Sequence, residues 1–139
     1  MAPDLKKVIR EHYAELKRAY KTKELHPARL HLAEDAKLIG NNEFFDGKQM
    51  IVKMFENFIQ LIKDVDIQHQ YFDHNSCCSV LESTSIIPEI QIRSIDRIVI
   101  TDGEIVEIHV FYDTRAWQNL MQRLQSLNSS AAFFQKDIT

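Results

Sequence analysis

Residues 100–113, Ile-Thr-Asp-Gly-Glu-Ile-Val-Glu-Ile-His-Val-Phe-Tyr-Asp (ITDGEIVEIHVFYD), decide how the chain folds. Asp102-Gly103 predicts a tight hairpin turn, because two-residue turns need positive φ and Gly adopts it without strain. The strand after the turn breaks the usual pattern. A strand with one face in water alternates apolar and polar residues, yet Ile105, Val106, Ile108, Val110, Phe111 and Tyr112 leave almost no polar side. Both faces need cover. Ile108, Val110 and Tyr112 are expected to point toward packed helices, with His109 and Phe111 on the outer face. A second copy of the same sheet is the economical cover there, since identical patches pair in a two-fold homodimer. The other arrangement is a monomer whose C-terminal tail folds back over the sheet.

Upstream, residues 90–101 form the partner strand. Its in-phase set is Ile90, Ile92, Ser94, Asp96, Ile98 and Ile100, so Asp96 falls on the apolar side while Arg93 and Arg97 fall on the other. A carboxylate taken from water is paired, or its pKa rises and it becomes neutral. A protonated acid in an apolar cavity is a hydrogen-bond donor suited to an oxyanion or enolate. The blander alternative is that Asp96 anchors a Tyr, a His or a backbone amide of the first helix. In 65–73, Val65, Ile67, His69, Tyr71 and Asp73 share a phase, and the aliphatic pair sets that phase inward. His69 is then a candidate base and Tyr71 a candidate donor facing a cavity. A bulge in the strand would reverse that facing.

Helical spacing is clear at 4–22, where Leu5, Val8, Ile9, His12, Tyr13, Leu16, Ala19 and Tyr20 form one stripe, and at 48–63, with Met50, Ile51, Met54, Phe55, Phe58, Leu61 and Ile62. A short helix is expected at 27–32, a strand at 33–40, a loop at 41–48, and further strands at 65–73 and 77–87. Asp113 or Thr114 caps a last helix over 115–127. Phe133-Phe134 in the tail could lid a cavity or stay disordered. The order is helices, then a meander of antiparallel strands, then a closing helix, an α+β layout in a single domain spanning 1–139.

Bulk composition narrows the function. The chain has 139 residues, 45% apolar and 27% charged, with a formal net charge of −3. That balance argues against nucleic acid or an anionic membrane as partner. No run is long enough to span a membrane and no secretory leader is visible, while adjacent Cys77 and Cys78 point to opposite faces of a strand and are not expected to pair. A reducing, cytoplasmic setting is expected. His26 and His31 are five apart, as are His69 and His74, whereas ligands on one helix face need three or four, so no metal is expected. The isolated glycines Gly40, Gly47 and Gly103 make no phosphate-cradling loop, and no cofactor is expected.

HLAEDAKLIG (31–40), FFDGKQMIVKMFENF (44–58) and SIDRIVITDGEIVEIHVFYDTRAW (94–117) together resemble the nuclear transport factor 2-like superfamily, in its SnoaL-like and ketosteroid-isomerase-like branch, over about residues 5–124. The resemblance implies a cone-shaped α+β roll, a curved antiparallel sheet wrapped around N-terminal helices, with a deep apolar pocket and a homodimer through the convex face. It places Asp96 where the steroid isomerases carry the acid of their oxyanion hole, and Tyr13 or Tyr20 where they carry its partner tyrosine. Their proton-shuttling Asp corresponds to Gly40, which argues against steroid isomerisation. Val110 and Ser94 stand where limonene-epoxide hydrolases carry an Asp and an Arg. The resemblance leaves a SnoaL-like cyclase or isomerase acting on a carbonyl-bearing apolar molecule, with Asp96 and His69 catalytic and Tyr13, Tyr20, Phe55, Tyr71, Val110, Tyr112 and Trp117 lining the pocket. The competing class is a non-catalytic small-molecule-binding or dimeric interaction module on the same fold.

Overall fold

In the computed structural model, which describes residues 3–138 and side chains from 5 to 127, six strands form one curved sheet against three helices. The elements are α1 (Pro3–Thr22), β1 (Leu32–Ile39), β2 (Phe44–Asp46), α2 (Lys48–Phe58), β3 (Ile62–Phe72), β4 (Ser76–Ser85), β5 (Gln91–Thr101), β6 (Glu104–Tyr112) and α3 (Thr114–Ile138), with a 3-10 turn at Pro27–Leu30 after α1. Strand order is β2-β1-β6-β5-β4-β3.

The meander from β3 to β6 is antiparallel throughout, built on the hairpin that Asp102-Gly103 closes with φ of 53° and 77°. Both turn residues being positive is the geometry that matches the right-handed twist of the flanking strands. One pair departs from the antiparallel expectation: β1 runs parallel to β6, so the sheet is mixed. A parallel neighbour requires a long crossover, and nearly the whole chain between β1 and β6 supplies it. Register shifts at Val99/Ile100, Ile62/Asp64 and Ile67/His69 bend the sheet, as bulges do.

Helix α1 lays its apolar stripe into the concave side, burying Leu5, Val8, Ile9, Tyr13, Leu16, Ala19 and Tyr20. Helix α2 ends at Phe58, earlier than the 48–63 expected from sequence, and Ile62 opens β3 instead. The segment expected as a loop at 41–48 contains β2, which pairs with β1 in the register Lys37↔Asp46, Leu38↔Phe45, Ile39↔Phe44. Asp113 caps α3, its Oδ1 accepting from the backbone amides of Arg115 and Ala116 at 3.0 and 3.3 Å. That helix runs to Ile138, past the expected 127. The Phe133-Phe134 side chains lie outside the described residues. Cys77 is buried, and neither it nor Cys78 forms a disulfide. Among the described residues no helix is long and apolar enough to cross a membrane.

Candidate functional site

A cavity of about 280 Å³ lies between the concave side of the sheet and the helices. Its lining is mostly apolar, and the exceptions locate the chemistry. Asp96 sits in a row that crosses four strands on the inner face, Val110–Asp96–Ser79–Gln70. Tyr13 of α1 reaches down to this row and donates its hydroxyl to Asp96 Oδ2 at 3.0 Å.

Burial raises Asp96 from 3.8 to about 6, and the Tyr13 hydrogen bond pulls back only part of that rise. The acid therefore changes charge close to neutral pH. Burial, followed by the Asp96 charge, pushes the Tyr13 phenol well above its usual range, so Tyr13 keeps its proton and is a permanent donor. Ionised, Asp96 holds the Tyr13 proton; protonated, it no longer needs that proton, and both hydroxyl groups can turn to a ligand oxygen.

Beside Tyr13, His12 also lines the cavity and is 1% exposed. Its Nδ1 lies 2.9 Å from the Leu30 carbonyl oxygen, an acceptor only, so the ring proton resides on Nδ1. Burial lowers His12 to about 4, outweighing the backbone bond, and the imidazole is neutral at physiological pH. Its ring packs edge-on to Tyr13 and Phe55, with centroids 5.4 and 6.0 Å apart.

Tyr20, Phe55 and Val110 contribute to the walls. The exposed lining residues Glu43 and Asn57 mark the mouth, where Tyr112 and Trp117 also sit. Trp117 is stacked on Phe58 at 5.9 Å and meets Tyr112 edge-on at 6.2 Å. Among the described residues no three His, Cys, Asp or Glu side chains converge as a metal site.

Two residues expected in the cavity are elsewhere. His69 and Tyr71 face outward, Tyr71 being 63% exposed. The register shift between Ile67 and His69 is the reason: it moves the strand by one residue, so Gln70 takes the inner position and donates to Ser79 Oγ at 3.1 Å. The outer rows become His109–Arg97–Cys78–Tyr71 and Phe111–Ile95–Val80–His69. His69 is thus removed from any contact with a ligand inside. The sequence reading missed His12, whose one signal was a histidine on an otherwise apolar helical stripe, and Glu43, hidden in what reads as a loop.

No family model matches the sequence, and no curated protein matches it. Solved structures do share its shape. A steroid delta-isomerase from Pseudomonas aeruginosa superposes with a TM-score of 0.67 at 16% identity, over 93% of this chain and 97% of the other. An NTF2-like protein of unknown function from Cytophaga hutchinsonii gives 0.59 at 18% identity, over 76% of this chain and 90% of that one. A protein assigned as a SnoaL-like polyketide cyclase from Shewanella denitrificans gives 0.67 at 10% identity, over 88% and 99%. This is the nuclear transport factor 2-like fold. Identities this low establish the architecture alone. Within the nuclear transport factor 2-like cone, the Tyr13–Asp96 pair and the mouth around Glu43 are features of this chain's own side chains.

Proposed function

We propose that the protein is a SnoaL-like domain, spanning 1–139, that takes an apolar molecule carrying a carbonyl or phenolic oxygen into this cavity and acts on it as an isomerase or cyclase. The observation that carries the reading is the 3.0 Å contact between Tyr13 and Asp96 in an otherwise apolar cavity. Two adjacent donors of such different acidity stabilise negative charge as it forms on an oxygen, which is the largest single contribution to many acyl- and enol-type reactions. Proton transfer of this kind needs no metal or cofactor. Tyr20, Phe55, Val110, Tyr112 and Trp117 would hold the ligand's apolar body. The similarity in fold to the steroid delta-isomerase and the SnoaL-like protein supports the reaction class.

The outer face supports self-association as part of the same reading. Phe111 and Ile95 are 59% and 43% exposed and directly opposite one another across β5 and β6, and His109 stacks on Phe111. Tyr71 and His69 extend this patch across to β3. Exposed Phe111, Ile95 and Tyr71, on three strands with half-buried Val80 between, favour a homodimer through the convex face. A cytoplasmic location fits the two unpaired cysteines. A module that binds the same ligand without turning it over is the second reading, favoured by the lowered basicity of His12.

The test is binding of β-naphthol, a bicyclic phenol, followed by fluorescence against pH. Wild type should bind it with an affinity that changes as Asp96 titrates. Tyr13→Phe and Asp96→Leu should each weaken binding about ten-fold or more, the loss of one hydrogen bond to a charged oxygen. Equal affinity in all three proteins, with one pH profile, would rule out the pair as the anchoring site.

A further inference from the structure

Two hydroxyl groups of the cavity wall are buried and left without a partner. Tyr20 and Ser83 both line the cavity and are 4% and 6% exposed. Neither hydroxyl bonds to any described residue, yet Asp64 Oδ1 is the one buried side-chain oxygen among those residues that is both unpartnered and sealed. The Tyr20 and Ser83 oxygens are therefore open, and what they open onto is the cavity. A buried polar group without a partner is costly enough that each one calls for a reason.

Both belong to the end of the cavity away from Asp96. Helix α1 carries Tyr20 two turns past Tyr13, roughly 10 Å along the helix axis. Lys17, one turn before Tyr20, donates to the Val65 carbonyl at 2.8 Å and holds this stretch of α1 against β3. Val65 in turn pairs with Ser83, and both line the cavity. On β4, Ser83 stands two inner rows beyond Ser79, the residue paired with Asp96, roughly 13 Å along the strand. Helix and sheet thus agree that this end lies roughly 10–13 Å from the Tyr13–Asp96 end. Leu81 and Ser94, paired with each other, form the row between. Burial, followed by the charges of Asp96 and Asp64, raises the Tyr20 phenol, so it keeps its proton and donates. A serine hydroxyl donates or accepts.

We propose that Tyr20 and Ser83 form a second polar subsite, so that the cavity selects an elongated apolar molecule with an oxygen at each end. The far oxygen is a hydroxyl or a carbonyl. Placing the near oxygen at Tyr13 and Asp96 rests on the proposed reading of that pair; the far subsite stands without it. Anchors at both ends set the length of the molecule accepted and which way round it lies. A molecule with one oxygen leaves buried hydroxyls unpaired, and a site of this kind discriminates against it for that reason.

The probes are para-phenylphenol and para,para′-biphenol, rigid rods that differ by one hydroxyl at the far end, with affinities measured by calorimetry. Wild type should prefer the biphenol about ten-fold or more. Tyr20→Phe and Ser83→Ala should each shrink that preference, and the double variant should abolish it. Because the hydroxyls are unpaired in the free protein, each variant should unfold at the same urea concentration as wild type or a higher one. A lower one makes the hydroxyl structural and overturns the proposal. So do equal affinities of wild type for the two rods, a preference that survives the double variant, its loss in Ser94→Ala instead, or binding of neither rod. Tyr13→Phe separates the two ends: it should weaken both rods alike and leave the preference in place. A preference that depends on Tyr20 and Ser83 but with neither rod weakened by Tyr13→Phe keeps the subsite and strikes the reading of the pair.

Discussion

Replacing Asp96 with Asn should stabilise the protein, and by an amount that depends on pH in a defined direction. Asp96 rises from 3.8 to about 6 on folding because it is buried, so the folded state holds a proton that the unfolded state has lost between those values. Stability falls with pH wherever the native state binds more protons. The cost is absent near pH ~4, grows through the window and is complete above about pH 6 to 7. At 1.36 kcal/mol per unit the full cost is about 3 kcal/mol. Asn has nearly the same shape, still accepts from Tyr13 and never ionises. Asp96→Asn should therefore gain about 3 kcal/mol over wild type at pH ~8, or roughly 10 °C in Tm for a chain of this length, and almost nothing at pH ~4. His12 masks this in the wild type. It falls from 6.5 to about 4 on burial, so its neutral form contributes stability that is present above 6.5 and lost as pH drops toward 4. The two groups oppose each other over the same window, and wild type should look nearly flat where Asp96→Asn slopes steeply. Urea unfolding of both proteins across pH checks it. The reasoning fails if the difference between variant and wild type is the same at both ends of the range.

His12→Gln should remove the acid-labile contribution. Its stability should drop by about 3 kcal/mol less than that of wild type between pH ~6.5 and ~4 once the Asp96 contribution is cancelled in the Asp96→Asn background, as read by the same unfolding curves. Phe111→Arg places a charge at the β6 end of the exposed outer rows and should halve the mass measured by light scattering, with β-naphthol affinity unchanged; a dimer of undiminished mass counts against the convex face as the interface.

What the sequence disclosed depended on how far each strand ran without interruption. Alternation in β5 is unbroken from Gln91 to Val99, and so Asp96 could be assigned to the inner face from its phase with Ile92 and Ile98. The same argument in β3 misplaced His69 and Tyr71, because the shift after Ile67 is set by pairing with β4 and leaves no residue signature. Helix α2 read too long because Leu61 and Ile62 are apolar in either structure, and only tertiary pairing assigns Ile62 to β3. Parallel pairing of β1 with β6 joins segments far apart in sequence, which periodicity cannot register. Glu43 was invisible for a related reason. In sequence Gly40 reads as a missing acid, whereas the turn that follows folds a carboxylate back over it.

His12 and Asp96, both beside the cavity, answer to different needs. His12 is satisfied by the fold itself: its Nδ1 proton goes to the Leu30 carbonyl, and remaining neutral is what the packing requires. Asp96 is not in that position. Among the described residues its one side-chain partner is Tyr13, and an amide would keep that contact without the cost of burying a charge at neutral pH. If Asp96→Asn gains the expected ~3 kcal/mol at neutral pH, stability alone does not account for an acid at this position. Its distinguishing property is a proton that can be gained or lost near neutral pH. On the proposed reading, that property serves a ligand that brings or develops charge in the cavity, which is the reason to look for a carbonyl or phenolic oxygen there before any other kind of molecule.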